Sequence, residues 1–369
     1  MKYVQLKVLG LSMAVAMLGW AQEAAQTVDQ AAQEPPAPEA AASRTFPLEV
    51  AGYVNFRYLN DDALQEHNLF REYSASLFLS KTVGRWRFHA EFNADTAPEF
   101  DSDGIHLFRP RPSLSVKLDN AFVNYNARDW LQVQAGFLFI PTYWRTHRYQ
   151  STTLTVDEPS TDQNIFPTSL KGGALHGDKY WGDGGVSYIA YGGVEQQTEF
   201  VEAIQSEVVD RARAIGGKLT LHVPSREFFR TFDAAVHRLH RVGRDGKPDE
   251  LYGLELQLRK SRFEVLAEFA HASLDVVNSA RGYIRQGYYI QPSFRITPKL
   301  FAVVRYDRLN RDSRFLDQSS LVRQSAGLTY RPIPAVSLKI EADRYEPQGG
   351  RVAAYYGVTT SLVWFFHIP

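Results

Sequence analysis

The chain contains no cysteine, which removes disulfides, thiolate metal sites and cysteine nucleophiles together. It has no charge surplus either, with 41 basic against 41 acidic side chains. Nothing concentrates positive charge on one segment, and that argues against a nucleic-acid partner. Long apolar runs are missing: the longest, Leu9 to Trp20, has twelve residues, against roughly 20 for a membrane-spanning helix. Mean hydropathy is −0.31, so no helical membrane protein is written here. Helical periodicity is nearly absent as well. What remains is a length of 369 residues, room for two or three ordinary domains or one large β-barrel, and 6 Trp, 19 Tyr and 23 Phe that need a reason.

Residues 1–21 place Lys2 and Lys7 ahead of the apolar run and the small residues Gly19 and Ala21 before Gln22, the layout of a secretory signal peptide. Without those two lysines the balance is 39 basic to 41 acidic, a net charge of −2. Residues 22–44 are rich in Ala, Gln, Glu and Pro. They form a low-complexity leader that cannot bury a core. The ordered domain is therefore expected over 45–369.

From residue 48 onward, about sixteen segments alternate apolar and polar side chains, which puts the two kinds on opposite faces of a strand. In 335–344, Val336, Leu338, Ile340 and Ala342 alternate with Ser337, Lys339, Glu341 and Asp343. In 298–308, Leu300, Ala302, Val304 and Tyr306 alternate with Val303, Arg305 and Asp307. In 250–260, Leu254 and Leu256 alternate with Glu255 and Gln257, and in 85–93 Trp86 and Phe88 alternate with Arg87 and Glu91. Connections alternate too. Short ones (81–84, 127–129, 181–184, 224–227, 296–297, 332–334) separate long polar ones such as 94–114, 140–170 and 194–211. Such alternation predicts an all-β fold: a transmembrane antiparallel β-barrel of about 16 strands with short periplasmic turns and long extracellular loops. The leader 22–44 then lies in the periplasm. The polar faces, with Arg57, Arg87, Glu91, Glu255, Arg305, Asp307, Arg323, Lys339 and Glu341, are expected toward the lumen. The apolar faces carry aromatics near strand ends, among them Phe56, Tyr58, Trp86, Trp130, Tyr188, Tyr330 and Trp364, as a girdle at each lipid interface would. Core packing in a soluble all-β protein is the alternative.

The stretches NAFVNYNARDWLQVQAGFLFIPTYW (120–144) and GYYIQPSFRITPKLFAVVRYDRLN (287–310), with Gly136, Pro141 and the ITPKL…RYD hairpin, resemble the phosphate-selective porin O and P family of Gram-negative outer-membrane proteins. The resemblance implies a 16-stranded barrel in the outer membrane of a Gram-negative bacterium, a homotrimer surrounded by outer-membrane lipid, and passive diffusion of small solutes or ions. It also implies that the third long loop, 140–170, folds into the lumen. There Arg145, His147 and Arg148 would face Asp157, Glu158 and Asp162 across a constriction; the alternative is a solvated extracellular lid. The closing stretch YYGVTTSLVWFF (355–366) is similar to the signal read by the outer-membrane barrel assembly machinery, through Tyr356, Gly357, Leu362, Trp364 and Phe366, although His-Ile-Pro follows it. Family members carry many lumen Arg and Lys, whereas the inward positions here mix signs, so phosphate specificity is not carried over.

Catalytic motifs are absent: no Gly-x-Ser-x-Gly, no His-Glu-x-x-His, and no histidine beside a serine in a lipase or protease pattern. His237 and His240, three apart on a strand, point to opposite faces. The segment Asp101-Ser102-Asp103-Gly104 lacks the downstream carboxylates of a calcium loop, and WGDGG (181–185) is a tight turn with no helix after it. No enzyme, metal or cofactor is expected. The expected activity is that of a passive diffusion channel; the rival is an adhesin or scaffold barrel with a plugged lumen.

Overall fold

The structure is a computed structural model that describes residues 48–61, 69–95, 115–142, 153–160, 165–201, 206–224, 231–243, 246, 248–274, 283–311, 320–348 and 353–368. The segments 1–21 and 22–44 lie outside them. Sixteen strands run in chain order: β1 Glu49–Asp61, β2 Leu69–Val83, β3 Trp86–Asp95, β4 Ser115–Arg128, β5 Leu131–Phe139, β6 Ser169–Trp181, β7 Gly184–Val201, β8 Ser206–Val223, β9 Thr231–Val242, β10 Pro248–Lys260, β11 Phe263–Leu274, β12 Tyr283–Thr297, β13 Leu300–Arg311, β14 Ser320–Ile333, β15 Val336–Gln348 and β16 Tyr355–Ile368. Each pairs antiparallel with its chain neighbours, and β1 pairs with β16 from Val50↔Ile368 to Asp61↔Gly357, so the sheet closes. Closure leaves no row of unpaired amides, the condition a sheet must meet in hydrocarbon.

The two faces are inverted relative to a water-soluble protein. On β13, Arg305 and Asp307 are 1% and 0% exposed while Val304 between them is 55% exposed. On β15, Ser337, Lys339, Glu341 and Asp343 are buried, and Ile340 is 49% exposed. Polar residues inside and apolar ones outside suit a barrel with lipid around it and exclude the soluble sandwich, whose apolar face would be the buried one.

One expectation is corrected. The connection 194–211 is expected as a long loop, yet β7 and β8, of 18 residues each, continue through it as a hairpin paired from Gly185↔His222 to Val201↔Ser206. A two-stranded extension satisfies its own backbone groups and needs no apolar face, so its polar composition reads as loop in the sequence.

Gly136 sits opposite Phe122 on β4 with φ +144°. A Cβ there would lie 2.2 Å from the Ala121 carbonyl oxygen and 2.8 Å from Phe122 Cα, contacts only backbone movement can relieve. Gly136→Ala is therefore expected to lower the yield of folded barrel, read as the fraction migrating in the unboiled position on a detergent gel.

Candidate functional site

The third loop leaves β5 and returns to β6, and its described residues 153–160 bind β13, β14, β15 and β1. In the ring of sixteen, β14 lies eight strands from β6 in either direction. The loop therefore crosses the interior to the opposite wall.

Its docking is built from charge-assisted hydrogen bonds. Arg305 donates to Thr155 Oγ1 (3.2 Å) and to the Asp157 carbonyl (2.9 Å). Arg323 donates to the Glu158 carbonyl (3.1 Å) and the Asp157 carboxylate (3.0 Å). Lys339 donates to Thr153 Oγ1 (2.8 Å) and the Thr155 carbonyl (3.1 Å), and Thr329 donates to the Leu154 carbonyl (2.6 Å). Acceptors on the wall complete the set: Glu341 takes the Val156 amide and Asp307 the Ser160 amide, both at 2.5 Å. Arg57 holds the Asp157 carboxylate and the Val156 carbonyl. Within the wall, Glu341 accepts from Arg305 and Arg323 (3.2 Å each), and Arg323 also pairs with Asp343 (2.9 Å). Desolvated charges are tolerated where opposite charge and hydrogen bonds compensate them, and the loop backbone supplies part of that compensation.

A second anchor is apolar. Ile165 and Phe166, on the return leg of the loop, join a buried cluster with Leu138, Leu170, Tyr191, Leu239, Leu251 and Leu309. Phe166 stacks on His237 at 4.8 Å between ring centres. Removing these side chains from water favours the docked loop at roughly 25 cal/mol per Å² of apolar surface.

Asp157 is the loop's electrostatic pivot. Burial disfavours its charged form, but the guanidiniums of Arg57, Arg323 and Arg305 and a hydrogen bond from Tyr345 outweigh this and hold its carboxyl below the ordinary value of 3.8. A lowered carboxylate contributes stability that is present above the ordinary value and lost as pH falls through the lower one. The Asp157 contribution to loop docking is thus expected to be constant from neutrality down to about pH 4 and to weaken below it. Asp157→Asn should remove this share of the acid-side change, which channel current recorded against pH would show; Glu341, which accepts from the Asp157 backbone amide, and Tyr345, whose hydroxyl donates to the Asp157 carboxylate, remain in the variant as the comparison.

No protein-family model matches the chain, and no curated protein sequence matches it. Solved structures do. The outer membrane channel DcaP of Acinetobacter baumannii superposes with a TM-score of 0.58 at 12% identity, covering 86% of this chain and 97% of that one. An anion-selective porin from Comamonas acidovorans gives 0.57 at 11%, covering 87% and 100%, and OmpF of Salmonella typhi gives 0.58 at 12%, covering 87% and 98%. The fold is a porin fold.

Within this porin fold, Arg57, Arg305, Asp307, Arg323, Lys339 and Glu341 gather around the loop, with Asp157 among them. Glu158 contributes its backbone carbonyl. Glu255 lies apart, paired with Lys218 at 2.5 Å. Glu91 is buried on β3, and Arg87 is exposed at the short-turn end of that strand. Arg145, His147, Arg148 and Asp162 lie outside the described residues, as does Asp101–Gly104. On β16, Tyr356 and Trp364 are exposed on the outer face, Leu362 and Phe366 share its parity, and Gly357 is buried on the other. His237 is buried beside Tyr191, and His240 pairs with Glu250. Residues 182–183 form the expected turn.

Sequence reasoning missed the uncharged half of the site: Thr153, Thr155 and Thr329 carry no pattern that sets them apart from other loop and strand hydroxyls. It also missed a hydrogen-bonded trio on the inner face, Ser187, His222 and Asp233.

Proposed function

We infer that the protein is a passive diffusion channel of a Gram-negative outer membrane for small hydrophilic solutes or ions, exported through residues 1–21. It works as a homotrimer in outer-membrane lipid and is folded there by the barrel assembly machinery reading Tyr356, Gly357, Leu362, Trp364 and Phe366. The observation that carries this reading is the loop crossing the interior and bonded to the far wall, because a bracket across a barrel narrows it to a size that can select solutes. Selection then follows pore radius and the field of the lining charges, with no cofactor. Arg145, His147, Arg148, Asp157, Glu158 and Asp162 are the charged residues of the constriction.

Around the docked loop, Arg57, Arg305, Arg323, Arg331 and Lys339 are matched by Asp157, Glu158, Asp307, Glu341 and Asp343, a balance that supports weak charge preference. The resemblance to the phosphate-selective porin O and P family accordingly extends to barrel class and not to phosphate. Planar-bilayer recording tests the proposal: folded protein should give discrete conductance steps and a small reversal potential under a salt gradient. Folded protein that gives no conductance would overturn it and favour the adhesin or scaffold barrel.

A further inference from the structure

Three side chains on neighbouring strands form a directed hydrogen-bond chain. Ser187 Oγ on β7 lies 2.7 Å from His222 Nε2 on β8, and His222 Nδ1 lies 2.7 Å from Asp233 Oδ1 on β9. Asp233 is the cross-strand partner of His222. Strand parity puts all three on the inner face, with Tyr191 on β7, Ala214 on β8 and Leu239 on β9. They sit at the short-turn mouth: Ser187 is three residues past Gly184, His222 is the penultimate residue of β8, and Asp233 is the third of β9. The side chains of His222 and Asp233 are 22% and 23% exposed, so a solute in the mouth reaches them.

The atom order is what nucleophilic catalysis requires. A carboxylate accepting from Nδ1–H fixes the imidazole tautomer and turns the Nε2 lone pair toward the serine hydroxyl, which then has a base for its proton. Tyr180 packs its ring 5.3 Å from the imidazole and offers an apolar shelf beside it. Thr220 is the cross-strand partner of Ser187 on β8 and Asp178 its partner on β6, both on the inner face by parity.

We propose that Ser187, His222 and Asp233 form a serine-hydrolase site for small uncharged or cationic carboxylic esters that enter the short-turn mouth. Ser187 Oγ bonds to the ester carbonyl carbon as its proton passes to His222 Nε2. The bond to the alcohol oxygen then breaks, and that oxygen takes the proton from Nε2. Water attacks the acyl-serine, gives its proton to Nε2, and the acyl–Oγ bond breaks as Oγ recovers the proton, releasing the carboxylic acid. Asp233 is the positioning residue, and Thr220 is placed to donate its hydroxyl to the oxyanion. Asp178 and Asp233 flank the serine and the imidazole, which disfavours anionic esters at that point by like-charge repulsion.

The test uses the full-length folded protein in detergent, its folding checked by gel mobility before and after boiling, with a fluorophosphonate probe and p-nitrophenyl butyrate. The folded protein should take the label on Ser187, located by peptide mass spectrometry, and the boiled protein should not. Ser187→Ala should abolish labelling. His222→Gln should slow labelling and ester hydrolysis at least about 100-fold, and Asp233→Glu should retain more activity than Asp233→Asn. Labelling of folded protein no greater than in Ser187→Ala, or hydrolysis unchanged by His222→Gln, would overturn the site and leave the trio as wall structure. The channel reading does not enter this outcome.

Discussion

Replacing Glu341 with alanine is expected to release the third loop and to destabilise the barrel by about 3–5 kcal/mol, the usual cost of breaking a buried ion pair from one side. Arg305 and Glu341 are 0% and 1% exposed at their side chains, so the guanidinium left behind cannot recover water. Glu341 also accepts from Arg323 and from the Val156 amide, so its loss weakens wall and loop in one step. Channel current should rise as the bracket loosens, and the temperature at which the folded gel band is lost should fall. Glu341→Gln keeps an acceptor for the Val156 amide without the charge and should fall between alanine and wild type. Unchanged current and unchanged heat resistance in the alanine variant would mean that the loop does not depend on this network.

The second large effect lies one residue away on the other face. Ile340→Arg should cost about 2–4 kcal/mol, as a cation costs near the middle of a lipid-facing strand. Ile340 is 49% exposed on the outer surface, opposite Leu328 on β14 and Thr360 on β16. Lys339 beside it is a buried cation that the fold accepts, because Thr153 and Thr155 take its hydrogen bonds. Urea refolding into lipid vesicles should show a lower folded fraction for Ile340→Arg. Wild-type folding would place Ile340 inside and shift the register of β15 by one, which reverses every residue on the strand.

The contrast between these neighbours shows what a sequence reveals. Alternation along β15 or β13 is a local signal, and with alternating turn lengths it was enough for sixteen strands and for the inward parity of Arg305, Lys339 and Glu341. The polar extension of β7 and β8 was hidden because a self-paired hairpin needs no apolar face. The site was less legible still. Arg305 and Thr155 are 150 residues apart, Lys339 and Thr153 are 186 apart, and only the barrel's closure makes them neighbours. The inward course of the loop came from a family resemblance and not from any pattern in its residues. Ser187, His222 and Asp233, spaced 35 and 11 residues apart, fit no linear motif because their alignment exists only across three strands.

The most direct test of a loop held against the far wall exploits the absence of native cysteine. Leu154→Cys and Thr329→Cys put one thiol on the residue whose backbone carbonyl accepts from the Thr329 hydroxyl and the other at position 329 itself. Treatment of the folded double variant with a short thiol–thiol cross-linker, followed by digestion and mass spectrometry, should yield a joined loop–β14 peptide in high proportion before any denaturant is added. A folded barrel in which both thiols are modified singly and no joined peptide forms would contradict the docked loop.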